Sequence, residues 1–227
     1  MELEYQIVRS AARKKLTITV ERDREIIVHA PEGTPDEAVR QVVDAKRQWI
    51  LAKLRHPQKY QDRPHAPGKE VVNGESAPYL GRDYRIEVTE TASHEIEFSN
   101  LFLVPAAHQD KRRRVLRDWY IARAKETILA RAEQYARDLG VEYAEAKVVD
   151  NRYRWGSCTV SGNVSFNWRL IKAPMFVIDY VIVHELAHLI EGRHTSRFWG
   201  IVRSKTSTMV KAKAWLKEHG QDLEEEI

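Results

Sequence analysis

The chain of 227 residues is poor in cysteine and has no long hydrophobic run. Its single cysteine, Cys158, excludes an internal disulfide and is typical of a reducing compartment. No apolar stretch approaches the roughly 20 residues of a membrane-spanning helix. The first residues also lack the basic and hydrophobic regions of a signal peptide. From these absences we expect a soluble cytoplasmic protein with no membrane partner.

Neither sign of charge dominates the composition. The chain has 37 basic and 33 acidic residues, a formal net charge of +4 and a pI near 9.1. This balance permits a nucleotide or nucleic-acid partner without requiring one. The sharpest basic cluster, residues 111–114, lies in a predicted long helix, and we interpret it as that helix's solvated side.

What the chain does contain is the segment His184-Glu185-Leu186-Ala187-His188, followed six residues later by His194. Residues four apart on a helix share one face, so His184 and His188 can bind one ion from adjacent turns. A catalytic zinc takes three protein ligands and leaves a fourth position for water. Glu185 is displaced by one residue, which suits a general base. The pattern predicts a metal-dependent hydrolase, the alternative being three histidines in ordinary hydrogen bonds.

The surroundings of the motif favour a helix that presents it. Pro174 suits a first helical turn, and residues 176–183 have the apolar content of a buried helix. Gly192 is predicted to follow the helix with a positive φ, which would return His194 to the site from a loop. Glu218 is a weaker candidate for the third ligand than His194.

The periodicity along the chain predicts an α+β fold. Residues 1–105 are expected to form a β-rich N-terminal domain with one helix, which begins at Pro35 and is capped by Thr34. Residues 106–227 are expected to form the catalytic domain. A long helix over 110–139 ends at Gly140, and a hairpin turns at Ser161-Gly162. The hairpin aromatics Trp155, Phe166 and Trp168 are expected to be core residues.

Several motifs together resemble the YgjP-like metallopeptidases, a zincin family distantly similar to the SprT-type metalloproteases. They are the histidine motif with His194, the pair Phe198-Trp199 and the upstream run Arg154-Trp155-Gly156-Ser157-Cys158. Residues 167–174 and 215–220 also resemble that family, and the likeness covers nearly the whole chain.

The resemblance implies a zincin-like half with a long backing helix, a small sheet and an active-site helix. It implies one Zn²⁺ per chain, bound by His184, His188 and His194, with Glu185 as general base. Mn, Co or Ni would also suit three imidazoles. A peptide or protein substrate is expected, cleaved by a metal-activated water.

Other residues are given supporting roles, and two further functions stay open. Tyr153, Arg154 or Arg169 could bind substrate by donating to the tetrahedral intermediate, and Asp179 or Glu191 could orient a ligand imidazole. A lone cysteine is more often a small buried residue than a latent zinc ligand, so we expect Cys158 to be structural. The alternatives are a metal-dependent phosphohydrolase acting on nucleotides, aided by arginines, and a nucleic-acid-associated SprT-like protease. A structural zinc module is disfavoured because it has no use for Glu185.

Overall fold

A computed structural model describes residues 3–20, 26–54, 68–90, 95–106, 109–151, 154–224 and 227. The chain divides into two compact units, Met1–Pro64 and His65–Ile227. This division lies earlier than the boundary drawn at 105/106 from the sequence. The reason is that Ile86, Phe102 and Val104, from the strands before residue 105, share one buried core with the long helix that follows.

The first unit is a three-stranded sheet with two helices. Strands β1 (Gln6–Ser10) and β2 (Thr17–Val20) flank β3 (Ile26–Pro31), which is parallel to β1 and antiparallel to β2. Alternate residues of β3, Ile26, Val28 and Ala30, enter the core, as expected for a sheet with one buried face.

The helical part of this unit differs from the prediction of one helix. Helices α1 (Asp36–Ala45) and α2 (Arg47–Leu54) are separated at Lys46, which has φ −99° and ψ 5°. Thr34 does not cap α1, because its hydroxyl donates to the carbonyl of Pro31 at 2.9 Å. The capping prediction was therefore wrong.

The second unit begins with a four-stranded sheet. Strands β4 (Ser76–Tyr79), β5 (Arg82–Thr89), β6 (Glu97–Phe98) and β7 (Phe102–Pro105) lie in the order β4-β5-β7-β6. The sequence reading missed β4, whose residues Ser76-Ala77-Pro78-Tyr79 have a weak strand pattern. Before this sheet, Val71 has φ 59°, which is outside the range of extended strands.

Helix α3 (Gln109–Leu139) is the long backing helix that the sequence predicts. Its inner side is a row of fully buried residues about one turn apart, among them Leu116, Tyr120, Ala124, Ile128 and Ala132. Gly140 ends the helix with φ 67°, as predicted.

The basic cluster at the start of α3 is not simply solvated. Arg112 Nε donates to the carbonyl of Val71 at 2.8 Å, and Arg113 Nε donates to the carbonyl of Lys69 at 2.7 Å. Both side chains are half-buried. These two arginines therefore hold the segment that leads into the four-stranded sheet.

A second small sheet lies against α3. Strands β8 (Glu145–Val149), β9 (Gly156–Cys158) and β10 (Asn163–Asn167) lie in the order β8-β10-β9. The hairpin of β9 and β10 is antiparallel and turns at Gly162, with φ 80°, as predicted. Phe166 and Trp168 are buried and Trp155 is half-buried, in agreement with the core interpretation.

Helix α4 (Met175–Ala187) follows a 3-10 helix at Trp168–Lys172 and precedes α5 (Ser196–Lys205) and α6 (Met209–His219). Pro174 is its N-cap, one residue before the first helical turn in which the sequence places it. Its end was placed too late, because His188 is already the C-cap and Gly192 is not among the residues with positive φ. The α+β fold is confirmed, with the backing helix, hairpin sheet and motif helix all present. Among the described residues, no helix has the length and apolar character that a membrane crossing requires.

Candidate active site

Three histidines converge at the C-terminal end of α4. His184 lies in the last turn of the helix, His188 is its C-cap, and His194 comes from the loop before α5. One ligand atom from each lies within 4.8 Å of the others, and His184 Nε2 is 3.1 Å from His194 Nε2. Within the described ranges this is the one group of three or more metal-ligating side chains.

The donor set fits a tetrahedral metal ion. Bonds of about 2.0–2.1 Å at tetrahedral angles would place two nitrogen ligands about 3.3 Å apart, close to the separation of His184 Nε2 and His194 Nε2. His188 Nδ1 faces the backbone carbonyl of Glu191 at 3.4 Å, which leaves its Nε2 for the ligand set. Contacts of this kind orient metal-binding imidazoles.

The electrostatic environment keeps two of these imidazoles neutral. Burial, followed by the neighbouring His188, His194 and Lys213, lowers the pKa of His184 to about 4. Burial and His194 also lower the pKa of His188. A neutral imidazole has the free lone pair that a metal ion requires, so the site is ready for a ligand role near neutral pH.

The two aromatic residues that open α5 support the histidines from one side. Phe198 is fully buried, with its ring centroid 4.6–5.0 Å from those of all three imidazoles. Trp199 stacks on His194 with centroids 5.4 Å apart and planes 18° apart. Lys213 Nζ from α6 lies 4.6 Å from the centroid of the Trp199 ring. His194 is thus held by packing although it belongs to a loop.

Glu185 lies beside the metal-ligating group, with only 8% of its surface exposed. Burial raises the pKa of Glu185 to about 7, and the charge of Arg154 acts in the opposite direction. Burial, followed by the charge of the same carboxylate, raises the pKa of Tyr180 to about 12. The buried carboxyl can therefore take up a proton near neutral pH.

Gly156 makes room for this carboxylate. A Cβ at position 156 would lie 2.6 Å from Glu185 Cγ and 2.8 Å from its Oε1, closer than real atoms approach. The sequence does not predict this role of Gly156, which only the packing of β9 on α4 reveals. A glycine in a short strand was the one available signal, because it marks a close approach.

The predicted substrate-binding residues are not all brought together. Arg154 lines the cleft with residues 156–160, His184, Glu185, His188 and Gly192. Arg169 does not line it, because its Nη1 donates to Asp150 at 2.5 Å and its guanidinium lies 4.5 Å from the Trp168 ring centroid. Tyr153, like Arg152, lies outside the described residues.

The two carboxylates considered as partners of the imidazoles act elsewhere. Asp179 accepts two hydrogen bonds from Arg131 of α3, at 2.5 and 2.7 Å, so its assignment to a ligand imidazole was wrong. Glu191 contacts His188 through its backbone carbonyl, and its carboxylate instead accepts from the backbone of Arg193. Glu218 is exposed and outside the metal-ligating group.

Cys158 lies on the cleft wall without joining the ligand set. Its thiol contacts the carbonyl of Thr159 at 3.6 Å. Burial and the charge of Glu185 raise the pKa of Cys158, which opposes formation of a thiolate.

A backing helix, a small sheet over the motif helix and three converging imidazoles define the class of metal-dependent hydrolases. The family model described as "YgjP-like, metallopeptidase domain" matches residues 14–219, and the chain belongs to this family. Two solved metallopeptidase zymogens are partly similar: abylysin of Pyrococcus abyssi and jannalysin of Methanocaldococcus jannaschii. Abylysin is 17% identical and jannalysin 16% identical to this chain, and the TM-score is 0.35 for each. Each alignment covers 40% of this chain, and it covers 94% of the abylysin chain and 96% of the jannalysin chain. No curated protein matches.

Proposed function

We propose that the protein is a zinc metallopeptidase in which His184, His188 and His194 bind the metal and Glu185 is the general base. The observation that carries this proposal is the position of Glu185, buried against Gly156 and one residue from the first ligand. A structural zinc site is closed by four protein ligands and needs no base, whereas this group offers three.

The chemistry divides between the ion and the chain. A bound zinc would polarise the scissile carbonyl and lower the pKa of the attacking water. Glu185 takes the proton of that water on its carboxylate and returns it to the leaving amine. The buried surroundings of Glu185 favour its protonated form between these two transfers. Arg154, whose charge acts on Glu185 from the cleft wall, is the described candidate for stabilising the oxyanion.

The edge of β9 supports a peptide substrate. β9 pairs with β10 on one side, and its residues 156–158 line the cleft. An extended peptide can add to a free strand edge through main-chain hydrogen bonds. A peptide bound to β9 in this way would present its backbone carbonyls to the three histidines. Val160, just beyond this edge, is fully exposed and offers an apolar contact.

The test is to substitute Glu185→Gln and measure hydrolysis and metal content together. We expect the variant to keep one equivalent of zinc by elemental analysis while cleavage of an unfolded protein falls about 10²- to 10⁴-fold. Glu191→Gln is the matched control and should cleave normally, because it keeps the backbone carbonyl that contacts His188 and changes only a carboxylate that accepts from the backbone of Arg193. His188→Ala should lose the metal.

The choice of substrate class is tested in the same series. Wild-type protein and Glu185→Gln are each given an unfolded protein and, separately, nucleoside triphosphates. Hydrolysis of the triphosphates alone, abolished by the substitution, would replace the peptidase with a phosphohydrolase. Equal activity of both proteins in every assay would exclude Glu185 as the base.

A further inference from the structure

The segment after the metal-ligating loop carries charge of one sign. Between residues 192 and 217 there is no acidic residue and there are seven basic ones: Arg193, Arg197, Arg203, Lys205, Lys211, Lys213 and Lys217. All seven side chains are exposed. Because seven positive charges exceed the net charge of +4, the rest of the chain is net acidic.

Among the described residues, none of these seven side chains forms an ion pair with a carboxylate. Several arginines elsewhere on the surface do form such pairs. Arg117, Arg123 and Arg137 of α3 each pair with an aspartate or glutamate. On α6, by contrast, Lys211 and Lys213 lie over the rings of Phe176 and Trp199. Unpaired charges of one sign attract an oppositely charged partner.

Three of these residues, Arg203, Lys213 and Lys217, form a basic surface that adjoins the three histidines through Trp199. One open hollow of about 630 Å³ is lined by Ser196, Trp199, Gly200, Arg203 and Ser204. Trp199 forms part of this hollow and also stacks on His194. Lys213 contacts the same ring, and Lys217 follows it one turn later on α6. The hollow thus adjoins His194, one of the three histidines, through the ring of Trp199.

The groups around the hollow suit carboxylates better than nucleic-acid bases. Arg203 offers a planar set of donors that matches a carboxylate. Ser204 already donates its hydroxyl to the carbonyl of Ile201 at 2.7 Å, so the free positive charge comes from Arg203. The Trp199 ring is engaged by His194 and Lys213, which leaves no stacking platform for a base there.

We propose that this surface, formed by α5 and α6, docks an acidic segment of the peptide substrate, anchored at Arg203 beside the active-site cleft. The inference rests on the proposed peptidase function and adds a substrate class to it. The basic surface attracts acidic peptide chains to the cleft. The substrate residues on either side of the scissile bond can then pair with β9.

The test measures binding rather than cleavage, so that it does not depend on catalysis. A fluorescein-labelled peptide of alternating glutamate and alanine and its glutamine–alanine counterpart are titrated with the Glu185→Gln protein, followed by fluorescence anisotropy. Arg203→Gln/Lys217→Gln is added to this background. Arg114→Gln/Lys125→Gln, which removes two exposed charges from α3, is the matched control.

We expect the acidic peptide to bind more tightly than the neutral one, and Arg203→Gln/Lys217→Gln to weaken it by about tenfold at low salt. Arg114→Gln/Lys125→Gln should bind the acidic peptide as tightly as the parent does. The difference in affinity between the parent and Arg203→Gln/Lys217→Gln should shrink as the NaCl concentration is raised. Equal affinity for the acidic and neutral peptides would overturn the proposal. An equal loss of affinity in the two double variants would overturn it as well. So would stronger competition by a single-stranded oligonucleotide than by the unlabelled acidic peptide. Acidic-peptide binding by the Glu185→Gln protein, together with a wild-type protein that cleaves no peptide or unfolded protein, would leave the docking surface standing and reject the peptidase.

Discussion

Gly156 is the residue whose substitution most directly tests the packing around the proposed base. In Gly156→Ala the added Cβ would lie within 3 Å of three Glu185 atoms, so the carboxylate must move. We expect hydrolysis to fall at least about tenfold and stability to fall by about 1–3 kcal/mol, the usual cost of overpacking. Zinc should be retained, because no ligand is touched.

The measurements are initial rates, zinc content and urea unfolding. Gly192→Ala is the control, since it lines the same cleft and its added Cβ would meet nothing within 4 Å. Unchanged hydrolysis in Gly156→Ala would show that the Glu185 carboxylate has room to shift without losing its role.

Trp199 is expected to set the strength of metal binding through His194. His194 lies in a loop, and its imidazole is oriented by stacking on Trp199. Trp199→Ala should therefore weaken zinc binding about 10- to 100-fold, as for other groups that orient metal ligands. Trp199→Phe, which keeps an aromatic face, should recover most of the affinity.

Competition with a chromophoric chelator measures this affinity. Trp215→Ala is the control, because the ring of Trp215 contacts His219 in a tilted arrangement and does not contact the three histidines. If both tryptophan variants lose zinc equally, general loosening of α5 and α6 explains the effect rather than the stacking.

The sequence predicts the three histidines of the candidate metal site better than it predicts the residues that pack around them. The spacing of His184 and His188 implies a shared helix face, and His194 is close enough in sequence to return to it. Asp179 lies five residues before His184 on the same helix, yet it pairs with Arg131 from a helix 48 residues away in the chain. A contact between distant segments leaves no periodic trace, so neither this pair nor the fit of Gly156 on Glu185 could be predicted.

At the scale of elements, Asp150 joins helix α3 to the 3-10 helix before α4. It accepts hydrogen bonds from Arg117 of α3 and from Arg169. Burial opposes the charged form, but the hydrogen bond from Arg169 and the charges of both arginines outweigh it, so the pKa of Asp150 lies below its ordinary value of 3.8. Arg169, considered above as a substrate-binding residue, is thus paired with Asp150 in this structure.

A lowered pKa in the folded state gives a defined pH dependence. The stabilising contribution of Asp150 is fully present above the ordinary value of 3.8 and is lost as the pH falls through the lower folded pKa. We therefore expect Asp150→Asn to be less stable than wild type at pH 6, with the gap closing toward pH 2. Urea unfolding across this range measures it. A gap that stays constant with pH would show that shape rather than charge is responsible.

Element ends were the least predictable part of the fold. Gly140 and Gly162 stop a helix and turn a hairpin with positive φ, as their positions suggested. Gly192 has no such conformation, because α4 ends at Ala187 and the chain turns before the glycine is reached. A glycine near the end of an apolar run predicts a stop nearby, whereas the residue that ends the helix depends on packing.

For the whole molecule, the two compact units have separate hydrophobic cores. One core is built from residues of the first unit, including Val28, Val39 and Ile50, and the other lies entirely after residue 70. The β-rich pattern of residues 1–105 does not show this division, since strands on both sides of it look alike. The family model nevertheless spans both units, over residues 14–219.

Because the second unit contains its own core and the three histidines proposed to bind zinc, we expect a fragment of residues 65–227 to fold and bind zinc alone. We expect one equivalent of zinc, a single cooperative urea transition and zinc affinity within about threefold of the full chain, a difference of less than 1 kcal/mol. The same fragment with His188→Ala should fold without binding the metal. A fragment that aggregates or unfolds without cooperativity would mean that the second unit requires residues 1–64 for stability. A folded fragment that binds zinc but no longer cleaves an unfolded protein would instead assign residues 1–64 to substrate recognition.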